Sequence, residues 1–219
     1  MIRKRRHAGV IIENRENVIA GKGRKGEKME NTVKAYNEEV KGYQPKKPEI
    51  IKMTESICSM KVKEMLEEAG TEYMFVEREA FHMVGRRCVT PDGGGAWGVA
   101  RADGTIEKME ALETGKPFCG LCFGFGTDGS NDNMVAVEYD GEVEGLESFS
   151  YPAHRWLIYV LSGKISEDLL GNAWWYINNK LLDELHIKKD NLPTMEAYVV
   201  WDNENDKCSV EICIPYAEA

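Results

Sequence analysis

The chain has 219 residues, a formal net charge of −9 and 42% hydrophobic side chains, enough for one domain and an extension or for two small domains. No apolar run approaches the roughly 20 residues a membrane helix needs, and the basic start "MIRKRRHAGVIIENREN" breaks before a signal-peptide core forms; a cytoplasmic protein without membrane contact is expected. The charge is divided unevenly: residues 1–70 carry 16 Lys and Arg against 11 Asp and Glu, residues 71–219 carry 12 against 26. The acidic part argues against a nucleic-acid surface there and favours cations near it.

Residues 1–27 are Gly- and Lys-rich without a sustained period. They read as a mobile basic segment, or as an arm for weak DNA contact, although aromatic residues for base stacking are absent there. Met29–Val40 can form one helix, and "KGYQPKKPEI" is a linker because Pro45 and Pro48 break helices. "TESICSMKVKEMLEEAG" reads as a helix capped by Thr54 and stopped by Gly70, with an apolar stripe at Ile57, Met60, Val62, Met65 and Leu66. That stripe could pack on the main domain or support a homodimer.

From Thr71 the pattern turns to strands. "EYMFVEREAFHMVGRR" holds two, and "PDGGGAWGVARADGTIEKMEALETG" reads as a Gly-rich loop followed by helical spacing at Ile106, Met109 and Leu112. The Gly run lacks the Lys-Ser/Thr of a phosphate loop. "PFCGLCFGFG" and "NMVAVEYDG" are strands joined by a polar turn. The order then repeats: a strand in "FSYPAHRWLIYVLSG" entered through Pro152, a helix over "ISEDLLGNAWWYINNKLLDELHI" capped by Ser166, and two strands in "LPTMEAYVVWDNENDKCSVEICIPY". The helix carries a core-facing stripe at Leu170, Ala173, Trp174, Ile177, Leu181 and Leu185. Residues 81–215 therefore read as two βαββ units of an α+β fold. Their helices lie on one side and a concave site forms at the seam.

The chemistry-bearing residue types are sparse. Most of the six cysteines, without a secretory signal, are expected to be reduced, and a strand sends Cys119 and Cys122 of "CGLC" to opposite faces. "CGLC" has metal-ligand spacing but no second ligand pair, His82, His154 and His186 are scattered, no His-x-Glu or His-x3-His spacing exists and "GxSxG" does not occur; no metal or cofactor is expected. Aromatic residues, by contrast, cluster. Trp156 and Tyr159 share a strand, Trp174, Trp175 and Tyr176 are consecutive, and Tyr198 and Trp201 flank Glu196. Consecutive helical residues point about 100° apart, so three in a row cannot all enter one core; some must line a groove, an interface or a pocket.

Glu196 shares a strand face with Tyr198 and Val200, while Met195 and Ala197 on the other face are apolar too. It is either an edge residue facing water or the floor of a pocket. No basic residue lies near it in sequence, and Lys180 and Arg155 are the candidates in space. Buried and unpaired, it would suit a cationic aromatic ligand or serve as a general base.

The segments "EYMFVEREAFHMVGR", "DGTIEKMEAL", "FSYPAHRWLIYVLSG", "WWYINNKLL", "LPTMEAYVVW" and "VEICIPY", in that order, resemble GyrI-like small-molecule-binding domains. These are the effector-binding domains at the C-terminus of many AraC-type and MerR-type transcription regulators. The resemblance spans about 72–217, and a Pro-x-x-Glu-x-Tyr strand followed by Glu-Ile-x-Ile-Pro is its most specific part. It implies two βαββ units with pseudo-twofold symmetry, a groove between them, and a bulky hydrophobic, often cationic ligand over a glutamate matching Glu196. The expected ligand-binding set is Glu196, Tyr198, Trp156, Trp174, Trp175, Trp97 and Tyr176. The implied domains are a basic, mostly helical segment at 1–70, where "IRKRR" resembles a remnant of a DNA-binding region, and an effector-binding domain at 71–219. Two alternatives accompany this reading. One is a stand-alone hydrolase of strained, cyclopropane-type genotoxins with Glu196 as catalytic residue. The other is an interaction protein resembling the gyrase-inhibitory members.

Overall fold

A computed structural model describes residues 51–53 and 72–218. The expectations for the basic segment, the linker and both N-terminal helices lie outside these residues.

Short runs rich in aromatic and β-branched residues form the strands, as pleated, half-buried surfaces favour. In chain order β1 is Ile51–Met53, β2 Tyr73–Arg78 and β3 Phe81–Thr90. Helix α1 spans Gly93–Ala102 and α2 Thr105–Glu110, before β4 at Phe118–Phe125 and β5 at Asn131–Glu138. The Gly run expected as a loop is thus the first turn of α1. Asp92 caps it, its Oδ1 accepting from the Gly95 N–H at 2.8 Å. A side chain at Gly95 would approach the Thr90 Cβ to 2.9 Å, so the Thr90 side chain pressed against the helix backbone selects glycine there.

The strand entered through Pro152 is β7, His154–Gly163, and a further strand, β6 at Glu147–Tyr151, precedes the proline. β6 pairs with β3 whereas β7 pairs with β2 and β10; Pro152, lacking an N–H for a ladder, marks the crossing. The following helix begins later than expected. Ser166 lies in a 3₁₀ turn, Ile165–Glu167, tied to Asp206 through its N–H at 2.8 Å and its hydroxyl at 2.6 Å. Helix α3 runs Leu169–Tyr176, passes through a π turn at Ile177–Leu181 and ends as α4, Leu182–Glu184. β8 (Ile187–Lys189), β9 (Thr194–Asp202) and β10 (Lys207–Glu218) complete the chain.

The strands among the described residues form one sheet in the order β1-β2-β7-β10-β9-β4-β5-β3-β6, with β8 on the far end of β10. Every pair is antiparallel except β1 with β2. The repeat is explicit: β3–α1/α2–β4–β5 and β7–α3–β9–β10 are two βαββ units whose middle strands, β4 and β9, meet at the centre. There Gly120 faces Glu196, flanked by Phe118–Tyr198 and Cys122–Thr194. This is pseudo-twofold symmetry about the β4–β9 seam.

Each unit lays its helices on the same face of the sheet. Ala96, Ala100 and Met109 pack on Val84, Val135 and Val137; Ala173, Ile177 and Leu181 pack on Leu157, Val210 and Ile212. The seam strands lie between these helical layers, so the face they present between the helices is a cleft. On the opposite face Phe81, Tyr151, Trp156, Met83 and Met195 form a third core. Phe81 on β3 and Trp156 on β7 are far apart in strand order, yet their rings are 5.9 Å apart. The sheet therefore curls around this aromatic core.

A buried ion cluster closes the curl. Arg78, 5% exposed, stacks 3.5 Å over Phe81 and pairs with Glu138 at 2.5 Å, which also accepts from Lys116 at 2.8 Å. Burial pushes the Glu138 carboxyl up, but the Lys116 hydrogen bond and the Arg78 charge outweigh it and hold it below its ordinary value. A depressed carboxyl stabilises the fold fully above its unfolded pKa, roughly 4.3, and that contribution is lost as pH falls through the folded pKa. Glu138→Gln is expected to be less stable than wild type near neutrality, with the gap narrowing in acid. Urea titrations at neutral and at acidic pH check this, and a gap that stays constant would contradict it.

Candidate functional site

The cleft at the seam has a volume of about 910 Å³, within the ~300–1,000 Å³ usual for small-molecule sites. Its floor is the central pair Gly120 and Glu196, and its walls are Trp97 from α1 and Trp174 from α3. The π turn directly after α3 places Ile177 and Leu181 in the core while Trp174 and Asn178 face the cleft. Such turns recur at functional sites.

Glu196 is half-buried, and both its oxygens are engaged. Trp174 Nε1 donates to Oε1 at 2.5 Å and the Tyr198 hydroxyl to Oε2 at 2.6 Å. Burial pushes the Tyr198 phenol far up, and the Glu196 charge and hydrogen bond push it further; it therefore remains a donor. Tyr198 in turn meets Trp97 edge-on at 4.9 Å and Trp201 at 5.3 Å. The expected basic partners are elsewhere: Arg155 pairs with Glu77 at 3.2 Å, and Lys180 lies over Trp175 at 5.4 Å. Among the described residues Glu196 has no ion pair. A negative charge is thus held by neutral donors on the floor of an aromatic cleft.

Of the seven residues expected to line a pocket, Trp97, Trp174, Glu196 and Tyr198 come together. The other three do not line the cleft. Trp156 is 0% exposed in the aromatic core on the opposite face of the sheet, because its strand turns even-numbered residues away from the helices. Trp175 is 58% exposed, rotated off the helix face that meets the sheet. Tyr176 packs beside Tyr159, ring centroids 6.2 Å apart, in the cluster under the helix. Sequence reasoning missed Gly120, Cys122, Arg101, Lys189 and Asn178; only the β4–β9 register brings Gly120 opposite Glu196. Cys119 and Cys122 do face opposite sides, the first buried in the aromatic core and the second on the cleft.

A family model of the GyrI-like small molecule binding domain matches residues 71–217. The chain belongs to this family. Among solved structures, the GyrI-like domain is similar to SAV2435 bound to tetraphenylphosphonium, with a TM-score of 0.56 and 18% identity over 67% of this chain and 94% of that one. It is also similar to the EcmrR C-terminal domain, with a TM-score of 0.51 and 15% identity over 67% of this chain and 98% of that one. The EcmrR–DNA complex gives 0.51 and 13% over 88% and 69%. At these identities the likeness concerns the fold. A comparison with curated protein sequences gives no match. Among the described residues, no helix of the GyrI-like domain is long and apolar enough to cross a membrane, and no group of His, Cys, Asp and Glu could hold a metal ion.

Proposed function

We propose that the GyrI-like domain captures a bulky, hydrophobic cation in the seam cleft, as the effector-binding part of a transcription regulator. Glu196 supplies the counter-charge, and Trp97, Trp174 and Tyr198 supply the ring surfaces. The observation that carries this reading is the carboxylate of Glu196, half-buried among aromatic rings, hydrogen-bonded by Trp174 and Tyr198 and without an ion pair among the described residues. A buried carboxylate lacking a charge partner is unfavourable, and an entering cation relieves that cost while gaining ring-face contacts worth ~0.5–2 kcal/mol each. A delocalised cation suits the site better than a strongly hydrated one, because the carboxylate already accepts two short bonds and needs charge more than donors. The neighbour SAV2435 with its tetraphenylphosphonium and the C-terminal domain of EcmrR are consistent with this use of the fold.

The test is a titration of wild type and Glu196→Gln with tetraphenylphosphonium. Glutamine keeps the size and the acceptor oxygen but removes the charge. Binding is expected to weaken about tenfold, the scale of one charge-assisted interaction, and the ligand should be recovered unchanged by chromatography. Equal affinity in both proteins would remove Glu196 from the site.

A further inference from the structure

The cleft of this acidic domain also holds cations of its own. Lys189, at the end of β8, lines it, and its ammonium stands 4.8 Å from the centre of the Trp174 ring. The indole edge of the same Trp174 donates to Glu196. One side chain thus separates a fixed negative charge from a fixed positive one. Lys189 is not neutralised. No carboxylate lies within ion-pair distance of it among the described residues, and the adjacent Asp190 is turned to His154 at 3.3 Å. The residue retains solvent exposure, yet the packing around its ammonium lowers its pKa, with the nearby Cys122 opposing. Burial without a carboxylate partner produces that direction. Arg101, at the other helix, lines the cleft beside Trp97, 6.0 Å from its ring, and also lacks an ion pair among the described residues.

We propose that the cleft selects amphoteric ligands: a delocalised aromatic cation seated over Glu196, carrying an acidic group that Lys189 holds beside Trp174. The inference rests on the cationic-ligand reading above and narrows the ligand class. It runs against the field of the domain as a whole. With 26 acidic residues against 12 basic ones over 71–219, long-range electrostatics favour the ligand of higher positive charge. A preference for the ligand bearing a carboxylate must therefore come from a local contact. The volume of about 910 Å³ accommodates both parts of such a molecule.

A matched dye pair tests this. Tetramethylrhodamine with its free carboxylate and tetramethylrhodamine methyl ester share one xanthylium cation and differ at the acid alone. Fluorescence anisotropy titrations at neutral pH and moderate salt are expected to show the free acid binding about tenfold more tightly than the ester, the scale of one charge-assisted hydrogen bond. Lys189→Gln should bring the two dyes to equal affinity by weakening only the acid, and Lys189→Arg should keep the preference. Arg101→Gln should leave the ratio unchanged, and Glu196→Gln should weaken both dyes together. If both dyes bind wild type and the ester binds as well as the acid, the amphoteric assignment fails while the cationic-ligand reading stands. A preference that survives Lys189→Gln, or that disappears in Arg101→Gln, overturns the role of Lys189. If neither dye nor tetraphenylphosphonium binds, the cationic-ligand reading falls and this inference with it.

Discussion

Phenylalanine at position 120 is expected to abolish ligand capture while leaving the domain folded. Gly120 sits at the centre of the seam, opposite Glu196. A Cβ built there would meet Trp97 Nε1 at 3.7 Å, Tyr198 Cε2 at 3.8 Å and Glu196 Oε2 at 3.9 Å. These are ordinary contact distances, so the first carbon is accommodated, and its backbone needs no left-handed conformation. The ring beyond that carbon would enter the cleft that Gly120 lines. Affinity for tetraphenylphosphonium should fall by more than about a hundredfold, equivalent to about 2.7 kcal/mol, whereas Gly120→Ala should stay within a few-fold of wild type. Glycine is a poor strand residue and phenylalanine a good one, so the melting temperature should hold or rise. Calorimetric titration with a thermal melt separates the outcomes. A stable Gly120→Phe protein that still binds would place the ligand away from the seam.

The largest expected loss of stability follows Trp156→Ala. Trp156 is fully buried, its ring 5.0 Å from Tyr151 and 5.9 Å from Phe81. It joins β7 to the far side of the curled sheet. Truncation leaves a cavity between strands that no helix can fill, and a loss of about 3–5 kcal/mol is expected, a large share of the ~5–15 kcal/mol that holds a typical domain together. Trp156→Phe should be much milder. The indole N–H of Trp156 is buried without a hydrogen-bond partner among the described residues, and phenylalanine removes that desolvated donor along with part of the ring volume. Urea unfolding measures both, and ligand titration of the phenylalanine variant completes the argument. Unchanged affinity is expected, because Trp156 lies on the opposite face from the cleft. An affinity loss without a stability loss would return Trp156 to the site.

The helical spacing at Ile106, Met109 and Leu112 and along α3 was readable because each of these helices buries one dominant stripe, and the strands were readable as short apolar runs between turns. Ala173, Ile177 and Leu181 recur at helical intervals and do pack on the sheet. Where the reading slipped, a local rule was outweighed. The Gly run became a helix start because Asp92 caps it and Thr90 crowds its backbone. Ser166 did not cap its helix because Asp206, 40 residues away, takes both its N–H and its hydroxyl. The residues just before Pro152 form a strand of their own, because β6 and β7 belong to different halves of the sheet.

For the site, the sequence by itself determined that Glu196 stands in an apolar strand with Tyr198 on its own face, since alternation alone puts residues two apart on one side. It also determined that Trp174, Trp175 and Tyr176 could not share one environment. Which tryptophans meet Glu196 was decided only by tertiary structure. "HRWLIYVLSG" is apolar on both faces because β7 is covered on both, by helix on one side and by the aromatic core on the other; its pattern therefore carries no information about which way Trp156 points. Gly120, Lys189 and Glu196 come from β4, β8 and β9, and nothing local to any of them encodes the pairing that brings them into one cleft.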